Sequence, residues 1–233
     1  EAAIRAQEFI ERNLSEGLRL FTSWRDGTRS ENSLLDDYAF YLAALTELYH
    51  ATLDPGYLDR AEALCREAVK QFFDAGRGGF YLASFDSTEL FMNPKESYDG
   101  AVPSGNSVMA YNLVRLYQLT GKEDLGELAE KQIRYLSAQI QGYPAGHSMF
   151  LLAKLIHDHP PMHMTVVLKH HSDLEQIKEQ LPLLANVILV PESRDYPLVN
   201  DSTTFYVCSN HTCFAPCNGM PSDRYPHPFY GQG

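Results

Sequence analysis

Apolar residues recur along the first two thirds of the chain in two alternating kinds of helical segment. Residues 2–14 place Ala2, Ala6, Phe9 and Ile10 on one side and Arg5, Glu8, Glu11 and Arg12 on the other, an amphipathic helix. Residues 18–27, LRLFTSWRDG, are short, aromatic and end in a turn, so they read as extended or irregular. Residues 34–53, LLDDYAFYLAALTELYHATL, are apolar almost all round, which marks a helix enclosed by protein. After the Asp54-Pro55-Gly56 turn, residues 57–73 are amphipathic again, with Leu58, Ala61, Cys65, Ala68 and Phe72 in one stripe. Residues 78–93 predict a β-hairpin, with GGFYLAS and ELFMN either side of a turn at Asp86-Ser87-Thr88. Residues 104–119 are a second enclosed helix, residues 123–140 an amphipathic one, and residues 147–156 a third mostly apolar one.

The order is outer, inner, outer, inner, outer, inner. An internal repeat supports it: Leu45, Leu48, Tyr49, Ala61 and Glu62 align with Leu113, Leu116, Tyr117, Ala129 and Glu130 at one constant offset. Helical hairpins repeated with wide return loops stack into a ring. The expected fold class is therefore mainly α, part of an (α/α)6 toroid of inner and outer helices with a small α/β C-terminal appendage. Such a ring needs about twice the helices visible here, so half of it is expected to precede Glu1. Glu1 itself opens inside a helical pattern, which reads as a processed product or a fragment.

After His157 the pattern changes. HDHPPMH is a Pro- and His-rich linker, and its histidines His157, His159 and His163, with His170 and His171 beyond it, read as solvated. Strands at residues 164–168 and 186–190 flank a helix at residues 173–184, a small βαβ-like unit, and residues 203–208 are a third strand. The domains read as residues 1–160 (toroid half), 161–217 (appendage) and 218–233 (loose tail).

Composition changes the picture in two places. With 44% hydrophobic and 12% aromatic residues, 233 residues can bury a substantial core, which excludes disorder as the default. A formal charge of −11 leaves no basic stripe for phosphates, so a nucleic-acid partner is excluded, and an anionic membrane surface is disfavoured. No apolar run is long enough to span a bilayer.

The segments LLDDYAF…LTELYHATLDPGYLDRA, GGFY, KESYDGAVPSGNS…NLVRLYQLTG and YVCSNHTC follow one another in an order that resembles the spermatogenesis-associated protein 20 family. In that family a thioredoxin-like domain precedes an α/α toroid. The resemblance runs from the first helix to about Pro216. It implies a missing thioredoxin-like domain and missing first toroid helices as partners, and kinship with six-hairpin carbohydrate enzymes such as N-acylglucosamine 2-epimerases. The family's name implies a role in sperm development or fertility.

The candidate chemistry lies where the inner helices start. Asp36 and Asp37 are paired carboxylates suited to general acid and base work on a sugar; Ser33 and Asp36 also have capping-box spacing, which gives Asp36 a structural reading that Asp37 lacks. Asp99, ahead of Pro103-Ser104-Gly105-Asn106, is the second catalytic candidate, in one loop with Lys95, Glu96 and Tyr98. Ser104 and Asn106 stand as binding residues or as caps of the helix that follows. Arg25 and Trp24 offer a cation and an aromatic face to a sugar or simply form a surface turn, Tyr38 offers a stacking ring, and His147 is an acid/base candidate. The expected ligand is a sugar, with no cofactor.

Cys208, Cys213 and Cys217, with His211 among them, lack the second half of a tetrahedral zinc site. A disulfide among them or free thiols is the expectation, with the missing thioredoxin-like domain as a natural exchange partner; Cys65 falls on a buried stripe. Asn13, Asn200 and Asn210 open N-glycosylation sequons, relevant if the chain enters the secretory pathway. Two functions from different classes follow: a carbohydrate-active toroid, hydrolase or epimerase, or a non-catalytic or redox-linked scaffold.

Overall fold

A computed structural model of the chain describes residues 1–30, 32–87, 92–182, 185–209 and 212–220. The chain divides into two compact units, one of residues 1–49 and 54–155 and one of residues 50–53 and 156–233.

The first unit holds the alternating helices. Outer helix α1 (Ala2–Asn13) is followed by two short hairpins, β1 (Ser15–Glu16) with β2 (Arg19–Leu20) and β3 (Trp24–Arg25) with β4 (Thr28–Arg29). The second turns at Asp26 and Gly27, both at positive φ (50° and 83°), the two-residue geometry that matches strand twist. Inner helix α2 (Leu35–Thr52) then packs with outer helix α3 (Pro55–Phe72), and α4 (Gly105–Thr120) with α5 (Glu123–Gln139). A 3-10 turn (Pro144–His147) leads into α6 (Ser148–Asp158).

The two repeats are buried alike. Leu45 and Leu113 are both fully enclosed, as are Ala61 and Ala129. Asn112 crosses between the inner helices, its amide donating to the Ala39 carbonyl at 2.8 Å. Cys65 sits in the core as expected, its thiol pushed up to about 12 by burial. Helix α6 is less enclosed than its composition predicts: Phe150, Ala153 and Ile156 are buried, while Leu151, Leu152 and Leu155 remain exposed.

The predicted hairpin over residues 78–93 is not a strand pair among the described residues; residues 88–91, which include most of its second arm, lie outside them. Phe80 and Ala83 form isolated bridges to Phe73 and Leu34 instead. The physical reason is that side-chain amides take the place of a neighbouring strand. Asn106 accepts from Phe80 N–H at 2.7 Å and donates to its carbonyl at 2.8 Å, and Asn93 does the same for Ala83 at 2.9 and 2.7 Å. Their paired donor and acceptor satisfy backbone groups that burial would otherwise orphan.

The second unit is α/β. Strand β5 (His163–Val167) is central in a four-stranded sheet of order β6-β5-β7-β8. It pairs in parallel with β6 (Asn186–Leu189) across helix α7 (Asp173–Lys178), and antiparallel with β7 (Thr204–Ser209). The edge strand β8 (Thr212–Cys213) completes it. His163 is a correction to the solvated reading: it opens β5 and is half-buried. Asn218, expected in the loose tail, donates to the Val199 carbonyl at 2.9 Å; residues 221–233 lie outside the described residues. No helix of the described residues is long and apolar enough to cross a membrane.

Helix α1 has no fully buried residue, so polar contacts add to the half-buried Ile4 and Ile10 and the Phe9–Trp24 contact in holding it. Arg60 on α3 makes a two-pronged ion pair with Glu11, 2.8 Å on each prong, and reaches Ser15 Oγ at 2.9 Å and the Gly17 carbonyl at 2.8 Å. Replacing Arg60 by Ala should cost about 1–3 kcal/mol of local stability. Hydrogen exchange should then quicken in residues 2–20 and stay unchanged in α4 and α5. Equal loss of protection in all helices would show that α1 is part of the cooperative core.

Candidate functional site

Three inner helices start on one face of the first unit, and carboxylates join those starts. A helix N-terminus leaves backbone N–H groups without intrahelical partners and carries a partial positive charge, so a buried carboxylate there is doubly favoured. Asp99 exploits this twice. Its Oδ1 accepts from Ser104 N–H at 2.9 Å and lies 3.2 Å from Ser104 Oγ, at the cap of α4. Its Oδ2 accepts from Met149 N–H at 2.8 Å and Phe150 N–H at 3.4 Å, in the first turn of α6. Asp99 is buried, and both oxygens are engaged in holding two helices together.

Asp36 and Asp37 divide their roles differently from their spacing. The capping-box return falls to Asp37, whose Oδ2 accepts from Leu34 N–H at 3.3 Å and from Thr22 Oγ1 at 2.9 Å. Ser33 Oγ, expected to pair with this box, donates to the Leu20 carbonyl. Asp36 instead accepts from the Gly105 N–H at the start of α4. Burial pushes its carboxyl above the usual carboxylate value, and the charges of Glu96 and Asp37 push it further. Burial also raises Asp37, against the pull of its Thr22 and Leu34 hydrogen bonds.

Gly105 leaves room at this junction: a Cβ there would lie 2.3 Å from Asp36 Oδ1 and 3.0 Å from Leu35 Cδ2, so a larger residue would displace the Asp36 carboxyl from the α4 start.

The remaining candidates separate into two groups. Ser104 caps α4, accepting from Ser107 N–H at 3.2 Å. Asn106 is fully committed to Phe80, to the Glu96 carbonyl at 2.8 Å and to Gln132 at 3.1 Å. Tyr38, expected to stack on a sugar, has no accessible face: it is fully buried edge-on to Phe72, with its hydroxyl shared among Leu18, Leu20 and Gln71. These three are structural. Trp24 and Arg25 are the opposite case. They lie on the β3–β4 hairpin, Trp24 edge-on to Phe9 and Arg25 92% exposed beside Asp26, with no contact to Asp36 or Asp99. Lys95 is structural too, bonded to Asp74 at 2.6 Å and to the Gly78 carbonyl at 2.7 Å.

His147 is buried at the start of α6, its Nδ1 3.2 Å from the Tyr143 carbonyl. A carbonyl only accepts, so Nδ1 is the donor in that bond and Nε2 is the ring nitrogen left for another partner. Tyr98 stands edge-on to the His147 ring at 6.2 Å and stacks with Tyr143 at 6.5 Å; both tyrosines are 60% exposed. Glu96 and Tyr98, named with Asp99 as loop neighbours, and Tyr143, which residue spacing did not single out, lie beside Asp36 and His147. Glu96 and Tyr98 flank Asp99 in a turn-rich loop, whereas nothing in the local pattern connects Tyr143 to it.

In the second unit Cys208 and Cys213 form a disulfide, and Cys217 is free with Sγ 3.4 Å from the Gly219 carbonyl. His211 lies outside the described residues. Among the described residues no group of three or more His, Cys, Asp or Glu side chains is placed to hold a metal ion.

Fold and site together define a protein of repeated helical hairpins whose inner helices are joined at one end by carboxylates, carrying a small α/β unit. In sequence the chain is similar to spermatogenesis-associated protein 20 of Rattus norvegicus, 30% identical over 209 residues that cover 78% of this chain and 25% of the rat protein. The human protein of that name is 28% identical over the same share. The chain thus spans about a quarter of the length of these curated relatives, and it bears out over most of its length the resemblance carried by its motifs. No protein-family model matches it. Among solved structures it is similar to a cellobiose 2-epimerase from Spirochaeta thermophila, with a TM-score of 0.47, 22% identity, and coverage of 60% of this chain and 37% of that one.

The two aspartates at the α4 start should respond oppositely to loss of charge. Asp99→Asn leaves buried N–H groups facing an amide instead of a carboxylate oxygen and should destabilise the fold by about 2–4 kcal/mol in denaturant titration. Asp36→Asn should raise the melting temperature at pH 7. A carboxyl whose folded pKa is raised lowers stability as pH climbs through that pKa, and the amide removes this cost. The advantage should shrink as pH falls through the Asp36 pKa and vanish below about pH 3, where the carboxyl is protonated folded and unfolded alike. A melting temperature that falls at pH 7 would place Asp36 among the structural clasps.

Proposed function

We propose that this chain supplies one arc of an α/α toroid that binds and transforms a carbohydrate at the face where its inner helices start. The observation that carries the reading is Asp36. It is the helix-start carboxylate least committed to the fold, its carboxyl is held protonated to higher pH, and Glu96 stands beside it as an exposed second carboxylate. Two carboxylates in unlike environments are the requirement for one acid and one base acting on a glycosidic or anomeric centre. The Tyr98 and Tyr143 rings offer apolar faces of the kind on which sugar rings stack, and His147 Nε2 offers an acceptor for a hydroxyl. The exposed leucines of α6 would be the seat of further hairpins in the longer protein. A role in sperm development is the part of this reading that rests on the relatives' name.

A second reading, a non-catalytic scaffold, is favoured by the commitment of Asp37, Asp99, Ser104 and Asn106 to hydrogen bonds within the fold. Saturation-transfer NMR of the chain with cellobiose, mannobiose and N-acetylglucosamine distinguishes the two. On the sugar reading one of them binds, Tyr98→Ala weakens it at least tenfold, and Asp36→Asn lowers any turnover about a hundredfold or more while binding persists. Absence of binding by all three sugars, with the fold intact, would leave the scaffold.

A further inference from the structure

One row of side chains crosses the sheet of the second unit. His163 of β5 is the register partner of Cys208 of β7, and Cys208 is the register partner of Cys213 of β8. Register partners project to the same face with Cβ atoms about 5 Å apart, so His163, Cys208 and Cys213 stand side by side on one face, with His163 and Cys213 on opposite sides of Cys208. Cys213 is exposed on the edge strand, and Cys208 is partly so. A cavity of about 410 Å³ opens on the His163 side of the row, lined by His163, Cys208, Ser209, Asp158, His159 and Pro160. Cys213 does not line it. Cys217 is register partner of Phe205, three residues from Cys208 along β7, and so falls on the other face.

We propose that Cys208–Cys213 is a thiol–disulfide exchange site, with Cys208 the sulfur attacked, Cys213 the leaving sulfur and His163 the base for an incoming low-molecular-weight thiol. Exchange needs the attacking sulfur in line with the bond it breaks. A thiol in the cavity beside His163 approaches Cys208 from the side opposite Cys213, the side that geometry requires. Its proton passes to the imidazole, its sulfur bonds to Cys208 Sγ, and the Cys208–Cys213 bond breaks. Cys213 departs as a thiolate at the exposed edge and takes a proton from water, while the imidazolium returns its proton to water. A second thiol attacks the mixed disulfide, releasing Cys208 as a thiol and the small molecule as its own disulfide. Two thiols are oxidised and one protein disulfide is reduced. Burial lowers the His163 pKa and keeps the imidazole in its basic form near neutrality. The groups that face it from the neighbouring segments are Asp158 and His159.

The experiment treats the folded chain with reduced glutathione at pH 7, traps free thiols with iodoacetamide, and locates the adducts by mass spectrometry. Glutathione should appear on Cys208 with the alkyl group on Cys213, and His163→Gln should slow the reaction about tenfold or more with unchanged circular dichroism. Cys217→Ser should leave the rate unchanged. Glutathione on Cys213 in the wild-type chain would overturn the proposal without need of a variant. So would a disulfide inert until denaturant is added, or a folded His163→Gln chain that reacts at the wild-type rate.

Discussion

The helical unit depends on a single buried carboxylate that serves two helices. The starts of α4 and α6 each present unpaired N–H groups and a positive dipole end, buried at α4 and half-buried at α6. Asp99 supplies one oxygen to each. Without it, N–H groups of both helix starts would lose the acceptor they share. Asp36 extends the arrangement to α2 through the Gly105 N–H, so three inner helices are tied in sequence at one end. The convergence of polar residues at that end is therefore first a requirement of folding. Chemistry there can use only what the ties leave over.

This explains why the helices were legible in the residues while the site was only partly so. Residue pairs such as Leu45 and Leu113 announce burial through periodicity, because a helix converts spacing directly into a face. The alternation of enclosed and amphipathic segments, and the parallel β5–β6 pair, followed from the same logic. Asp36 and Asp37 are adjacent and identical, and their division depends on where Leu34, Thr22 and Gly105 sit in three dimensions. Tyr38 looks like any aromatic residue at a helix start, yet its hydroxyl is held by three partners up to 33 residues away. The described arm of the expected hairpin, residues 78–87, shows a related effect. An asparagine side chain mimics a peptide group, so Asn106 and Asn93 satisfy extended backbone without a neighbouring strand, and alternation cannot distinguish the two.

The second unit shows the same limit from another side. The histidines of the linker have no helical spacing and looked solvated. Strand register brings His163 alongside Cys208, a relation between positions 45 apart that only the antiparallel pairing of β5 and β7 creates. Cysteine spacing alone left the pairing of Cys208, Cys213 and Cys217 open; strand parity separates Cys217 from the other two.

Helix α1 carries a consequence of a different kind. None of its side chains is fully buried, and beside the Phe9–Trp24 contact its strongest polar tie is the guanidinium of Arg60 on the carboxylate of Glu11. Forces of that type weaken as mobile ions accumulate between the charges, whereas the packing of α2 through α5 is indifferent to them or strengthened by salting out. Added salt therefore loosens one tie of the first helix and leaves the packed body behind it in place.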